Sequence, residues 1–279
     1  MRRATWTLSG FGDEVDPNPD TQVAVLQALG ASHVEVRSAW GVNVVDLDEE
    51  QISRLGKLLE DRGMKVSAIA SPIGKVASDS SIEDEVARLE KVIGVTHALG
   101  AANIRVFSFY PPPGRSPQSV RDDVLSRMHA MARVAEREGV VLVHENEKAI
   151  YGDIPDRVLD VVESVGSSAL RLAWDNANFV QVGVRPYSDG WALLSPYVDY
   201  FQVKDARAQD GAVVPAGTGD GQLRETMIAM RDSGYRGFAS LEPHLASAHE
   251  LGGFSGPVAF GEAARAFRHL ADDLEIALS

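Results

Sequence analysis

Eight short runs rich in β-branched and other apolar residues recur along the chain, most of them followed by a longer amphipathic stretch. The runs are ATWTLSGF (4–11), HVEVR (33–37), KVSAIAS (65–71), NIRVFSF (103–109), VVLVHE (140–145), LRLAWD (170–175), VDYFQVK (198–204) and GFASLE (237–242). Stretches such as EEQISRLGKLLEDRG and VRDDVLSRMHAMARVAEREG lie between them with helical apolar spacing, and several end in the Gly that favours a helix C-terminus. No two runs are joined by a tight hairpin turn, so the strands are expected to be parallel with helical crossovers. Eight such units close most naturally as a (β/α)8 TIM barrel, with an open doubly wound sheet as the alternative.

The length of 279 residues fits a single barrel domain spanning 1–279, since this fold commonly takes about 250 residues. No Pro/Gly/Ser linker or low-complexity tract divides the chain, and its longest loops are YPPPGRSPQS and the Gly-rich segment between Asp205 and Leu223. A formal charge of −13, with 27 Lys and Arg spread widely, argues against nucleic acid and for a small-molecule partner. The chain has no cysteine, which excludes disulfides, thiolate zinc sites and thiol nucleophiles. MRRATWTLSGF runs straight into a strand pattern, and no apolar segment of about 18 residues follows. The expectation is a soluble cytoplasmic protein with no membrane partner, compatible with a homo-oligomer.

Four oxygen-bearing side chains, Glu145, Asp175, Gln202 and Glu242, end or nearly end four consecutive strand-like runs, at spacings of 30, 27 and 40 residues. One strand-loop-helix-loop unit fills each gap, so all four groups face the same end of the sheet, where active sites of this fold lie. One such carboxylate alone would read as a helix cap or a surface charge. Several packed together without a cation raise one another's pKa values and cost stability, so the set reads as a divalent metal site. All-oxygen donors favour a hard ion, Mn²⁺ or Mg²⁺, over Zn²⁺.

Strand alternation sorts the remaining candidates. Within LRLAWD, Ala173 shares the Asp175 face and Leu172 and Trp174 point away; within GFASLE, Ser240 and Phe238 share the Glu242 face. Lys204 lies on the Gln202 face and is placed to contact a substrate. Glu35 and Arg37 share one face of the second strand and either meet substrate or pair with each other, and Arg105 on the fourth strand can join the same network. His144 adjoins Glu145 and so faces the helix layer, as a buried hydrogen-bonded histidine. His244 lies two residues beyond Glu242 and either points into the cleft or stays in its loop. Glu147 and Lys148 follow the first metal ligand as substrate or supporting contacts. Asp205 alternates outward or caps the following loop, and AGTGDG, lacking a helix-opening GxGxxG pattern, reads as a flexible loop.

GFGDEV, HVEVRSAWG, ASPIGKV, HENEKAIYGD, WDNANF, FQVKDA, PAGTGDGQL and LEPHL together resemble the sugar phosphate isomerase/epimerase superfamily of xylose isomerase-like TIM barrels, over essentially the whole chain. That resemblance implies a Glu, Asp, His, Glu metal set falling on Glu145, Asp175, Gln202 and Glu242. Gln202 departs from it: an amide oxygen can ligate, but it is a weaker donor than imidazole. Asn178 departs too, standing where the epimerases resembled carry a substrate-contacting His. The resemblance further implies that Glu145 and Glu242 flank the metal, one removing a proton from the carbon beside a carbonyl and the other returning it, through a metal-stabilised enediolate. The expected function is a metal-dependent isomerase or epimerase of a sugar or sugar phosphate. Alternatives are an inosose-type dehydratase, an endonuclease IV-like hydrolase, which the acidic charge and few placed histidines oppose, and a non-catalytic sugar-binding protein.

Overall fold

The computed structural model describes residues 3–245 and 255–279. Its main sheet holds the eight expected strands: β1 (Ala4–Gly10), β2 (His33–Val36), β3 (Lys65–Ile69), β4 (Asn103–Val106), β5 (Val141–Glu145), β6 (Leu170–Asp175), β7 (Val198–Val203) and β8 (Phe238–Leu241). Each of β2 to β7 pairs in parallel with its successor, and β8 pairs with β1. Between β1 and β2 the ring is joined by a parallel bridge at Phe11 and Glu35. A ninth strand, β9 (Ile276–Leu278), takes the other edge of β1 over Ala4–Trp6, so β1 meets β2 only at its C-terminal end. Two antiparallel ribbons, Ser38–Ala39 with Val42–Asn43 and Asp205–Ala206 with Val213–Val214, rise beyond β2 and β7.

Local chemistry sets the helix ends. Helix Glu49–Arg62 opens with a capping box between Asp48 and Gln51 and closes at Gly63 in the left-handed region, φ 63°. Leu55 and Leu59, one turn apart, are its buried residues. Ser81 caps Ile82–Ala98, while Gly139 and Gly166 end Arg121–Glu138 and Pro155–Val165. Among the described residues no helix is long and apolar enough to cross a membrane.

The pleat divides the core into two layers. Outward-facing residues, among them Trp6, Leu8, Val34, Ile104, Leu142, Leu172, Trp174 and Phe201, join the large cluster beneath the helices. Ala68, Val143, Ala173 and Tyr200, with Phe238 against them, plug the barrel interior. Above this plug lies a hydrogen-bonded layer. Ser9 and Ser67 share a bond of 2.6 Å, Ser67 and Tyr200 one of 2.9 Å, and the Tyr200 hydroxyl donates to Glu35 at 2.8 Å. The interior thus turns from apolar to polar to charged toward the strand C-termini, where the functional groups collect.

Candidate active site

Glu145 and Asp175 are the last residues of β5 and β6, Gln202 lies one residue before the end of β7, and Glu242 follows β8 directly. The register places Gln202 between Asp175 on β6 and Ser240 on β8. All four are buried. Oxygens of Glu145, Asp175 and Glu242 lie within 4.8 Å of one another, a spacing an octahedral cation can span. Gln202 donates its amide to both Glu35 oxygens, at 3.0 and 3.3 Å, which turns its own Oε1 away from Glu35, and that buried oxygen has no hydrogen-bond partner. Three clustered carboxylates could hold a divalent cation, and the orphaned Gln202 amide oxygen is a further oxygen donor of the kind such an ion takes.

The cluster also carries its own cations. Lys204 Nζ lies 2.8 Å from Asp175 Oδ2 and 3.0 Å from Glu242 Oε2. Arg105 reaches Glu145 at 3.2 Å and Glu242 at 3.5 Å, and Arg37 reaches Glu242 at 3.1 Å and Asp13 at 2.8 Å. Glu35 and Arg37 therefore do not pair with each other: Glu35 serves Tyr200 and Gln202, and Arg37 serves the carboxylates above. Phe11 and Phe107 sandwich Arg105, their centroids 5.2 and 4.9 Å from its guanidinium carbon, and Phe11 also packs on Arg37.

His244 points into the cleft. Its Nδ1 lies 3.0 Å from Glu14 and its Nε2 3.2 Å from Glu242, while its backbone N–H donates to Glu14 at 3.2 Å. These contacts hold the residue at φ 44°, a region that costs a non-glycine residue about 1 kcal/mol or more. Asn178 donates to Glu145 at 3.0 Å and to the Asn146 carbonyl at 2.9 Å, and its backbone N–H donates to Asp175. Glu147 accepts from Lys75 at 3.0 Å. Lys148 is exposed and turns to Gln181, 3.4 Å away. His144 faces the helix layer as expected, but neither ring nitrogen has a hydrogen-bond partner; burial lowers its pKa to about 3 and keeps it neutral.

Burial and neighbouring charge drive the carboxyls apart. Burial raises Glu145 to about 8 despite Arg105, and Asp175 to about 6 despite Lys204. Burial also works against ionisation of Glu242, but Lys204, His244 and Arg105 outweigh it and hold this carboxylate well below its usual value. For His244 the pull of Glu242 and Glu14 exceeds the burial cost, so its pKa is raised. Burial thus favours the protonated form of Glu145 in the metal-free protein, while its cationic neighbours favour the ionised form of Glu242 in the same cleft.

That cleft has a volume of about 300 Å³, and Arg37, Lys75, Glu147, Lys204 and His244 line it with the two glutamates. A larger concavity of about 840 Å³ lies at the opposite end of the barrel, by His33 and Lys65 at the strand N-termini, away from the convergent groups. Asp13, Glu14, Lys75, Tyr200 and Asn146 complete the site and were not singled out from sequence. Asp13 and Glu14 belong to GFGDEV immediately after β1, a position where a barrel loop meets the mouth, and that was the available signal.

Asp205 caps the next loop: its carboxylate accepts N–H bonds of 2.9 Å from Ala206, Gly217, Gly219 and Gly221. The AGTGDG segment expected to be flexible is therefore tied down, with Gly219 and Gly221 so close to this carboxylate that a Cβ on either would lie 2.5 Å from it.

The chain, a parallel barrel with carboxylates converging at its strand C-termini, belongs to the xylose isomerase-like TIM barrel family, whose model matches it over residues 23–270. A 2-epi-5-epi-valiolone 7-phosphate 2-epimerase from an Actinoplanes species is 26% identical over 224 residues, covering 75% of this chain and 80% of the relative. A xylose isomerase-like TIM barrel protein from Mycobacterium smegmatis in complex with magnesium has a TM-score of 0.71 at 18% identity, covering 97% of this chain and 98% of its own. The probable 3-DHS dehydratase AsbF from Bacillus anthracis has a TM-score of 0.72 at 16% identity, covering 95% and 98%. These two structural likenesses establish the fold.

Proposed function

We propose that the protein is an isomerase or epimerase that moves a proton on the carbon beside the carbonyl of a polyhydroxy ketone or its phosphate ester. The observation that carries this reading is the convergence of two buried glutamates, Glu145 and Glu242, from different strand ends on one cleft, since one group to take a proton and a second to return it is what this chemistry requires. The epimerase relative supports it.

Glu242 is the base. Its carboxylate is held by Arg37, Lys204 and His244, which fix its orientation at the cleft. Glu145, the partner that returns the proton, is oriented by the Asn178 amide and Arg105. As the proton leaves, negative charge gathers on the carbonyl oxygen. Lys204 and Arg105, which line the cleft, are the cations nearest to meet that charge. Lys75, about one-third exposed beside Glu147, is placed for a more distant oxygen or phosphate of the substrate. Glu145, Asp175, Gln202 and Glu242 would hold Mn²⁺ or Mg²⁺, which when bound supplies Lewis-acid polarisation of the carbonyl.

His244 gives a second reading its support. A protonated imidazole in the cleft could deliver a proton to a departing β-hydroxyl, which would make the enzyme a dehydratase using the same first step. Product analysis by NMR in deuterated water, over a panel of ketoses, cyclic polyhydroxy ketones and their phosphates, tests both. An epimerase or isomerase yields a product of unchanged composition labelled at one carbon, whereas a dehydratase yields one lacking the elements of water. No turnover of any member would count against the proposal.

A further inference from the structure

We propose that Lys204 is a tethered competitor for the divalent cation, its ammonium and the ion excluding each other at Asp175 and Glu242. The inference rests on the metal-site reading above and adds to it. Few carboxylate oxygens remain open. Asp175 Oδ1 accepts the Asn178 backbone N–H at 2.8 Å. Glu242 Oε1 faces Arg37 at 3.1 Å and His244 at 3.2 Å. Glu145 is engaged at Oε1 by the Asn178 amide and at Oε2 by Arg105. The oxygens left to ligate at Asp175 and Glu242 are therefore Oδ2 and Oε2, and these are the two that Lys204 Nζ holds, at 2.8 and 3.0 Å.

A divalent ion about 2.1 Å from the same oxygens would bring two like charges within a few ångströms in a site where every ligand is buried and solvent screening is weak. The one donor oxygen in the set with neither a hydrogen bond nor an ion pair, Gln202 Oε1, is neutral: it can ligate but brings no charge to offset the ammonium. Ion binding must therefore displace Lys204 from both carboxylates, and the protein's affinity for the ion is set by that exchange as much as by the donor set.

The test is Mn²⁺ binding followed by titration calorimetry on metal-stripped full-length protein, comparing wild type with Lys204→Met and Lys204→Arg. Removing the charge should tighten Mn²⁺ binding by about tenfold or more, whereas Arg, which keeps it, should leave binding near the wild-type value. Lys204→Gln, which keeps donors on both carboxylates, gives the same reading if the Met variant fails to fold, and should also bind more tightly. Equal or weaker binding by the neutral variants would overturn the competition while leaving the metal site standing. Absence of Mn²⁺ binding in every protein would overturn both.

Discussion

Glu35 shows how one buried carboxylate can set the chemistry of its neighbour. When ionised it can only accept hydrogen bonds, and Gln202 turns its amide nitrogen toward it and its oxygen away; burial raises Glu35 to about 7, so this orientation is favoured increasingly as pH rises through that value. Glu35→Leu should free Gln202 to flip and weaken Mn²⁺ binding by about tenfold or more, read by calorimetry; unchanged affinity would show that Gln202 is not a ligand. Proton linkage makes the stability of the fold depend on Glu145. Glu145 is raised by burial from 4.5 to about 8, so from about pH 4.5 upward the folded protein keeps a proton that the unfolded chain releases. This contribution to stability is fully present below pH 4.5 and is lost as pH climbs through about 8. Metal-free protein should accordingly resist urea better at pH 5.5 than at pH 8.5, and Glu145→Gln should flatten the difference. Because an ion must displace the protons on Glu145 and Asp175, Mn²⁺ affinity should rise over the same interval. The four donors were legible because each stands at or near the end of an apolar run. Their counter-charges were harder to read: Arg37 and Arg105 meet Glu242 from strands more than 130 residues away in sequence, and no local pattern announces such a contact.

Among the elements, the eight long strands were recognisable from period and composition, whereas β9 and the two ribbons, only two or three residues long in each strand, are too short to show a period. The loop after β7 makes the same point differently. Its glycines suggested mobility, but they are there because the backbone must approach Asp205 closely enough to donate to it, and the side-chain direction that makes this possible cannot be read from composition. Asp205→Ala would leave the loop amides without their acceptor and should destabilise the protein by about 2 kcal/mol. Hydrogen exchange at Gly217, Gly219 and Gly221 should accelerate more than exchange in the strands. Uniform acceleration across the sheet would mean that the loop is not a separate unit held by this carboxylate.

For the molecule as a whole, closing the sheet brings residues from both ends of the chain into one site: Glu14 and Arg37 from the first two units meet Glu242 and His244 from the last. The apolar plug and the Ser-Tyr-Glu layer below then keep the charged mouth away from the barrel floor. In the proposed reaction Glu242 and Glu145 take and return one proton. The most direct test is solvent deuterium incorporation by wild type, Glu242→Gln and Glu145→Gln, with a turned-over ketose or cyclic polyhydroxy ketone. Wild type should label the carbon beside the carbonyl. Each Gln variant should keep the fold and lose about 100-fold or more in turnover, with Glu242→Gln losing exchange altogether and Glu145→Gln retaining exchange without inversion. Near wild-type turnover and labelling in both variants would contradict the claim.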